Sequence, residues 1–117
     1  MELTERRAGS TVVLAPTGRI DMDTANQLKD KLLPLVTEAA KSGHGVVLDF
    51  SGVDYISSAG LRVLMLASKE ARASGGKIAV ALLQPMVKEI FQITRFDVVL
   101  PCLTGMDEAL AAVAPAS

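Results

Sequence analysis

Two adjacent hydroxyls, Ser57 and Ser58, stand where an apolar strand-like run, Val53-Asp54-Tyr55-Ile56, gives way to a stretch with helical periodicity. A serine at such a junction caps the helix, because its side-chain oxygen accepts from orphan N–H groups of the first turn. Those donors and the positive end of the helix dipole also favour an anion. A phosphate ester on one of these serines would be tolerated without unfolding the domain.

Nucleophilic catalysis fits this stretch less well. A nucleophile elbow needs Gly-x-Ser-x-Gly, and Ile56 occupies the first glycine position. The sole histidine, His44, precedes the serines in a polar turn, Ser42-Gly43-His44-Gly45, and no Lys-Ser or Lys-Thr follows those glycines to make a phosphate loop. Asp21 and Asp23 lack a convergent third ligand, so capping and turn chemistry explain them better than a metal half-site. Cys102 reads as a packed small hydrophobe. The sequence implies no catalytic residue, metal site or cofactor.

The elements that would position the serines alternate between strand and helix. Leu3 to Ala8 and Thr11 to Ala15 read as a hairpin turned at Ala8-Gly9-Ser10, its second strand stopped by Pro16 and Gly18. A helix follows, with Thr24 and Gln27 at capping-box spacing and Asp23 as a competing cap. Ala25, Leu28, Leu32, Leu35, Val36 and Ala39 keep its period, Pro34 should kink or divide it, and Ser42-Gly43 closes it. Val46 to Phe50 is a strand covered on both faces.

Behind the serines, Leu61, Leu64, Met65 and Ser68 mark one helical face, with Val63, Leu66 and Ala67 beside it, until Ser74-Gly75-Gly76 ends the helix. Lys77 to Leu83 is a second buried-type strand. Pro85 opens a short helix carrying Met86, Val87, Ile90, Phe91 and Thr94. Val98-Val99-Leu100 reads as a brief strand ended by Pro101, and Thr104 opens a last helix through Ala109, Leu110 and Val113. The expectation is an α/β layer fold.

The 117 residues suit one domain, and 50% are hydrophobic, enough for a core of Val, Leu, Ile and Ala. Twelve basic and thirteen acidic residues leave a net charge of −1, with no basic patch for nucleic acid or an anionic membrane. Three Phe, one Tyr and no Trp argue against a stacking surface for single strands. A single cysteine excludes an internal disulfide and suits a reducing cytosol. No signal peptide or bilayer-length apolar run is visible, so a cytoplasmic, free-standing domain is expected, without direct membrane insertion.

Phe50 to Leu64, Phe-Ser-Gly-Val-Asp-Tyr-Ile-Ser-Ser-Ala-Gly-Leu-Arg-Val-Leu, resembles the signature of the STAS domain, found in bacterial anti-sigma factor antagonists and in cytoplasmic tails of anion transporters. The antagonists usually read Asp-Ser-[Ser/Thr]-Gly-Leu. Here Ser57 stands for the Asp, Ser58 for the phosphorylated hydroxyl, and Ala59 for the second Ser or Thr. The resemblance runs through almost the whole chain in order, including Gly18-Arg19-Ile20-Asp21.

It implies one STAS domain over residues 1–117, with a central mixed sheet of about four to five strands and about four helices. It further implies a partner switch. The unphosphorylated form would bind an anti-sigma factor that is a serine kinase of the histidine-kinase-like ATPase type. Phosphorylation of Ser58 would release it, and a serine phosphatase would reset the protein, which is itself no enzyme. Asp21, Asp23, Ser57, Ala59, Gly60 and Arg62 would form the surroundings of the phosphosite and the partner surface. The rival readings are an adaptor or structural subunit whose serine is never phosphorylated, and a small-ligand sensor using the strand-end loops.

Overall fold

Alternating apolar residues build this fold around a mixed sheet. The computed structural model describes residues 1–114, so the last three residues of the expected domain lie outside it. Strands β1 (Glu2–Ala8) and β2 (Thr11–Ile20) form the leading hairpin, followed by α1 (Met22–Lys41), β3 (Gly45–Asp49), β4 (Val53–Ile56) and α2 (Ser58–Ser74). Then come β5 (Lys77–Ala81), α3 (Pro85–Ile93), a 3₁₀ turn (Phe96–Val98), β6 (Cys102–Leu103) and α4 (Met106–Ala112). The sheet order is β1-β2-β3-β5-β6, with β4 paired to β2, and only the β1–β2 pair is antiparallel.

Successive strand side chains point to opposite faces, and both faces here are apolar. Val12, Leu14, Val46, Leu48, Ile78 and Val80 face the layer containing α1, α2 and α3. Val13, Val47, Ala79 and Ala81 face α4, with Ala109 and Val113 packed on them. On the first face Phe91 meets Phe50 and Phe96 edge-on, with ring centroids 6.5 and 5.4 Å apart.

Strand β2 does not stop at Pro16. Its first half pairs with β3 through Leu14 opposite Leu48, and its second half pairs with β4 from Gly18 opposite Val53. Pro16 falls between the two ladders, where its missing N–H costs no bond on that side, and the register shifts at Gly18, whose φ is +93°. Strands β3 and β4 thus act as one interrupted strand beside β2, and the sheet gains a strand over the expected number.

Four other expectations about elements are corrected. Pro34 does not divide α1, which runs through it as one helix; Pro34 and Asp30, whose carbonyl it frees, are both exposed, so solvent can satisfy that group. Its N-cap is Asp21, neither Asp23 nor Thr24. Val98 to Leu100 is no strand: burial of Phe96 and Leu100 winds this segment, and β6 begins only after Pro101. Gly105, not Thr104, caps α4, while the Thr104 hydroxyl lies 3.2 Å from Glu108 Oε2.

Helix α2 buries Gly60, Val63, Leu64, Ala67, Ser68 and Ala71, with Leu61 and Met65 half-buried at the edge of that stripe. It lies against α1 as well as the sheet, which widens the apolar face it needs. Strand β5 ends at Ala81, because Leu82 turns out with φ +63°.

Exposed Arg95, at φ +61°, joins α3 to the 3₁₀ turn in the left-handed region that side chains disfavour. Arg95→Gly is expected to raise unfolding free energy by about 0.5–1 kcal/mol, the relieved strain exceeding the added chain entropy. Chemical denaturation checks this, and an unchanged or lowered stability would contradict it.

Candidate functional site

The site is assembled where β2 and β4 end together. Ile20 stands opposite Ile56, so Asp21 and Ser57, each next in sequence, leave the sheet side by side. The Ser57 N–H donates to the Ile20 carbonyl at 2.8 Å, tying the two exits together. Parallel pairing thereby juxtaposes the N-termini of α1 and α2.

Asp21 is committed to its own helix. Its carboxylate accepts from the Asp23 N–H at 3.0 Å and the Thr24 N–H at 3.1 Å, while the Thr24 hydroxyl accepts from the Asp21 N–H at 2.9 Å. This is a reciprocal capping box. The Thr24 N–H first, and then the Thr24 hydroxyl, the Asp23 N–H and the Arg19 charge, hold the Asp21 carboxyl below the ordinary aspartate value of 3.8 against some desolvation.

A depressed native pKa stabilises the fold fully above the unfolded value and is lost as pH falls through the native one. Asp21→Asn keeps a neutral cap but removes the charge. Its melting temperature is expected to fall below wild type at neutral pH and to converge with it in acid. Parallel melts from neutrality to below pH 3.8 test the sign.

Ser57 is the N-cap of α2. Its Oγ accepts from the Gly60 N–H at 3.3 Å, and its carbonyl accepts the Leu61 N–H at 2.9 Å. Ser58 is the first helical residue, is exposed, and has no hydrogen bond from its hydroxyl among the described residues. The two serines thus divide structural and open roles. Ala59 is half-buried, while Arg62 is exposed one turn beyond Ser58, at the i+4 spacing that shares a helix face. Asp23 is exposed in the first turn of α1.

Buried Gly60 lets α2 sit close to the strand ends. A Cβ there would stand 2.6 Å from Ile20 Cγ2 and 2.7 Å from Ile56 Cγ1. The first turn of α2 carries no acidic side chain, whereas Asp23 occupies that turn in α1, and Asp107 and Glu108 do in α4. The α2 N-terminus therefore presents its partial positive charge uncompensated by a carboxylate of its own first turn.

Arg19 and Tyr55 were not among the sequence candidates. They are register partners on β2 and β4, and the guanidinium lies 4.4 Å from the Tyr55 ring centroid. The available signal was positional: each stands two residues before one strand exit, Arg19 before Asp21 and Tyr55 before Ser57. Met22, 79% exposed between Asp21 and Asp23, is legible in the sequence only as an apolar residue flanked by two carboxylates.

Residues 3–104 match the family model described as Mlab, STAS domain. The chain belongs to the STAS-domain family. This STAS chain is 34% identical over 112 residues to BtrV of Bordetella bronchiseptica, which carries the name of an anti-sigma factor antagonist, with 96% of this chain and 94% of BtrV covered. The crystal structure of an anti-sigma factor antagonist from Mycobacterium paratuberculosis matches it with a TM-score of 0.82 at 25% identity, covering 96% of this chain and 92% of that one.

Unphosphorylated SpoIIAA matches with a TM-score of 0.74 at 17% identity, covering 92% of each chain. Phosphorylated SpoIIAA of Bacillus matches at 0.65 and 18%, covering 94% of this chain and 97% of that one. At such identities the SpoIIAA likeness speaks for the fold, a mixed sheet with four helices, which this STAS chain shares. Among its described residues no helix is long and apolar enough to cross a membrane, and no cluster of three or more His, Cys, Asp or Glu could hold a metal ion.

Proposed function

We propose that this STAS domain is an anti-sigma factor antagonist acting as a phosphorylation-controlled partner switch. Its unphosphorylated form binds an anti-sigma factor that is also a serine kinase of the histidine-kinase-like ATPase type. The kinase transfers the γ-phosphoryl group of ATP to Ser58 Oγ, leaving ADP and a released proton, and the phosphorylated form dissociates. A serine phosphatase hydrolyses the ester and restores binding. The STAS chain is substrate and ligand in this cycle, not catalyst.

One observation carries the reading: the exposed, uncommitted Ser58 hydroxyl in the carboxylate-free first turn of α2. A phosphate adds about −1.5 to −2 charges at neutral pH, which this helix end can accommodate in the free protein. At a close interface the same charge must be desolvated, so affinity falls without refolding. Asp21, Asp23, Ser57, Ala59, Gly60 and Arg62 surround the phosphosite in this reading, and exposed Met22 supplies apolar contact beside it. The antagonist names of BtrV and the Mycobacterium protein support the function class.

Incubation with ATP and candidate switch kinases, followed by intact-mass and site-mapping spectrometry, tests the phosphorylation. The expected result is one added phosphate on Ser58 that Ser58→Ala abolishes. A kinase that binds this protein yet leaves Ser58 unmodified would favour the adaptor reading, and modification of Ser57 would overturn the residue assignment.

A further inference from the structure

A second site lies on the same rim of the sheet, beyond the serine turn. Strands β5 and β6 are parallel, and where they end together α3 and the 3₁₀ turn border an open cleft of about 350 Å³. This is within the usual size range of small-molecule sites, and the carboxyl ends of parallel strands are their usual location. Its apolar lining includes Leu82, Phe91 and Leu103, and Lys88 and Asp97 also line it. Leu82 holds φ +63° at the wall, a conformation costly for a leucine, and its N–H donates to the Leu103 carbonyl at 3.1 Å.

Lys88 and Asp97 are both exposed, so their charges are solvated at the mouth of the cavity. Here neither Lys88 nor Asp97 has an ion-pair partner: the salt bridges among the described residues are Lys31–Glu5 and Lys41–Glu38. The lining therefore combines an unpaired cation, an unpaired anion and an apolar surface. Cys102, also in the lining, keeps its thiol protonated at neutral pH, because burial, then the Asp97 charge, push it up to about 11.

We infer that this cavity binds a small zwitterion with an apolar substituent, of the free apolar α-amino acid class. Its carboxylate pairs with Lys88, its ammonium group with Asp97, and its side chain rests on the half-buried Leu83 and Leu103. The site goes beyond the partner switch and is independent of the state of Ser58.

The test titrates the unmodified protein with L-phenylalanine, and with 3-phenylpropionate, phenethylamine and N-acetyl-phenylalanine amide, which lack one or both charges. Amide NMR shifts report where each probe binds. L-phenylalanine is expected to shift the amides of residues 82–84, 86–92 and 102–104 at millimolar concentration, with the other three probes about tenfold or more weaker. Lys88→Met and Asp97→Asn, both at exposed positions, should each weaken L-phenylalanine by a similar factor while Ser58→Ala leaves it unchanged. No shift at these residues, equal binding of all four probes, or indifference to both charge variants would overturn the inference. Because no kinase or partner is present, failure here would not touch the switch.

Discussion

Ser58→Asp is expected to weaken binding to the cognate switch kinase about five- to 150-fold, while Ser58→Ala binds like wild type. The free protein should tolerate both changes. Ser58 is exposed and its hydroxyl supports nothing in the fold, since the capping bond belongs to Ser57. A carboxylate at this position also meets the favourable end of the α2 dipole, so melting should be unchanged or slightly raised.

The loss must then arise at the interface, where a new charge is removed from water without a prepared partner. Calorimetric binding measurements beside thermal melts separate these contributions. Equal affinities for wild type, Ser58→Ala and Ser58→Asp would sink the switch and leave an adaptor. Loss of binding by Ser58→Ala as well would make the hydroxyl itself a contact rather than a place for charge.

What the sequence disclosed was local, and what it concealed depended on pairing. The runs Val46-Val47-Leu48 and Ile78-Ala79-Val80 announce buried strands because both their faces are covered, and Ser57-Ser58 announces a helix start because capping is a short-range bond. Pro16 and Gly18 look like strand terminators in isolation. They sit within β2 because β1 pairs on through Pro16 and Thr17 while the other edge exchanges β3 for β4, a fact of register.

The cap of α1 shows the same limit. Asp21, Asp23 and Thr24 all have capping chemistry, and the choice falls to Asp21 because the pairing of Ile20 with Ile56 fixes where β2 ends. The Arg19–Tyr55 stack is likewise a cross-strand neighbour, invisible until β2 and β4 are aligned. Val98 to Leu100 has the β-branched composition of a strand, but tertiary burial of Phe96 and Leu100 overrides that propensity. For the site itself, sequence supplied the hydroxyl and the fold supplied its isolation.

Gly60→Ala provides the sharpest test of how that isolation is built. Alanine favours a helix over glycine by about 1 kcal/mol, so propensity alone predicts a gain. Geometry predicts the reverse. The new methyl would lie 2.6 Å from Ile20 Cγ2 and 2.7 Å from Ile56 Cγ1, both on fully buried side chains at the ends of β2 and β4. Either isoleucine must leave its rotamer or α2 must lift from the sheet, and overpacking of this kind costs about 1–3 kcal/mol. The clash should win, leaving Gly60→Ala destabilised by about 1–2 kcal/mol in chemical denaturation. Ile20→Ala opens a cavity and destabilises on its own. In the double variant, however, the added methyl enters part of that space, so the total loss should be smaller than the sum of the single losses. Strict additivity, or a stabilised Gly60→Ala, would show that close helix–strand approach is not what requires the glycine. Since Gly60 also donates the N–H that Ser57 accepts, lifting this turn should disturb the serine site: kinase labelling of Ser58 is expected to slow in Gly60→Ala and to recover partly in the double variant.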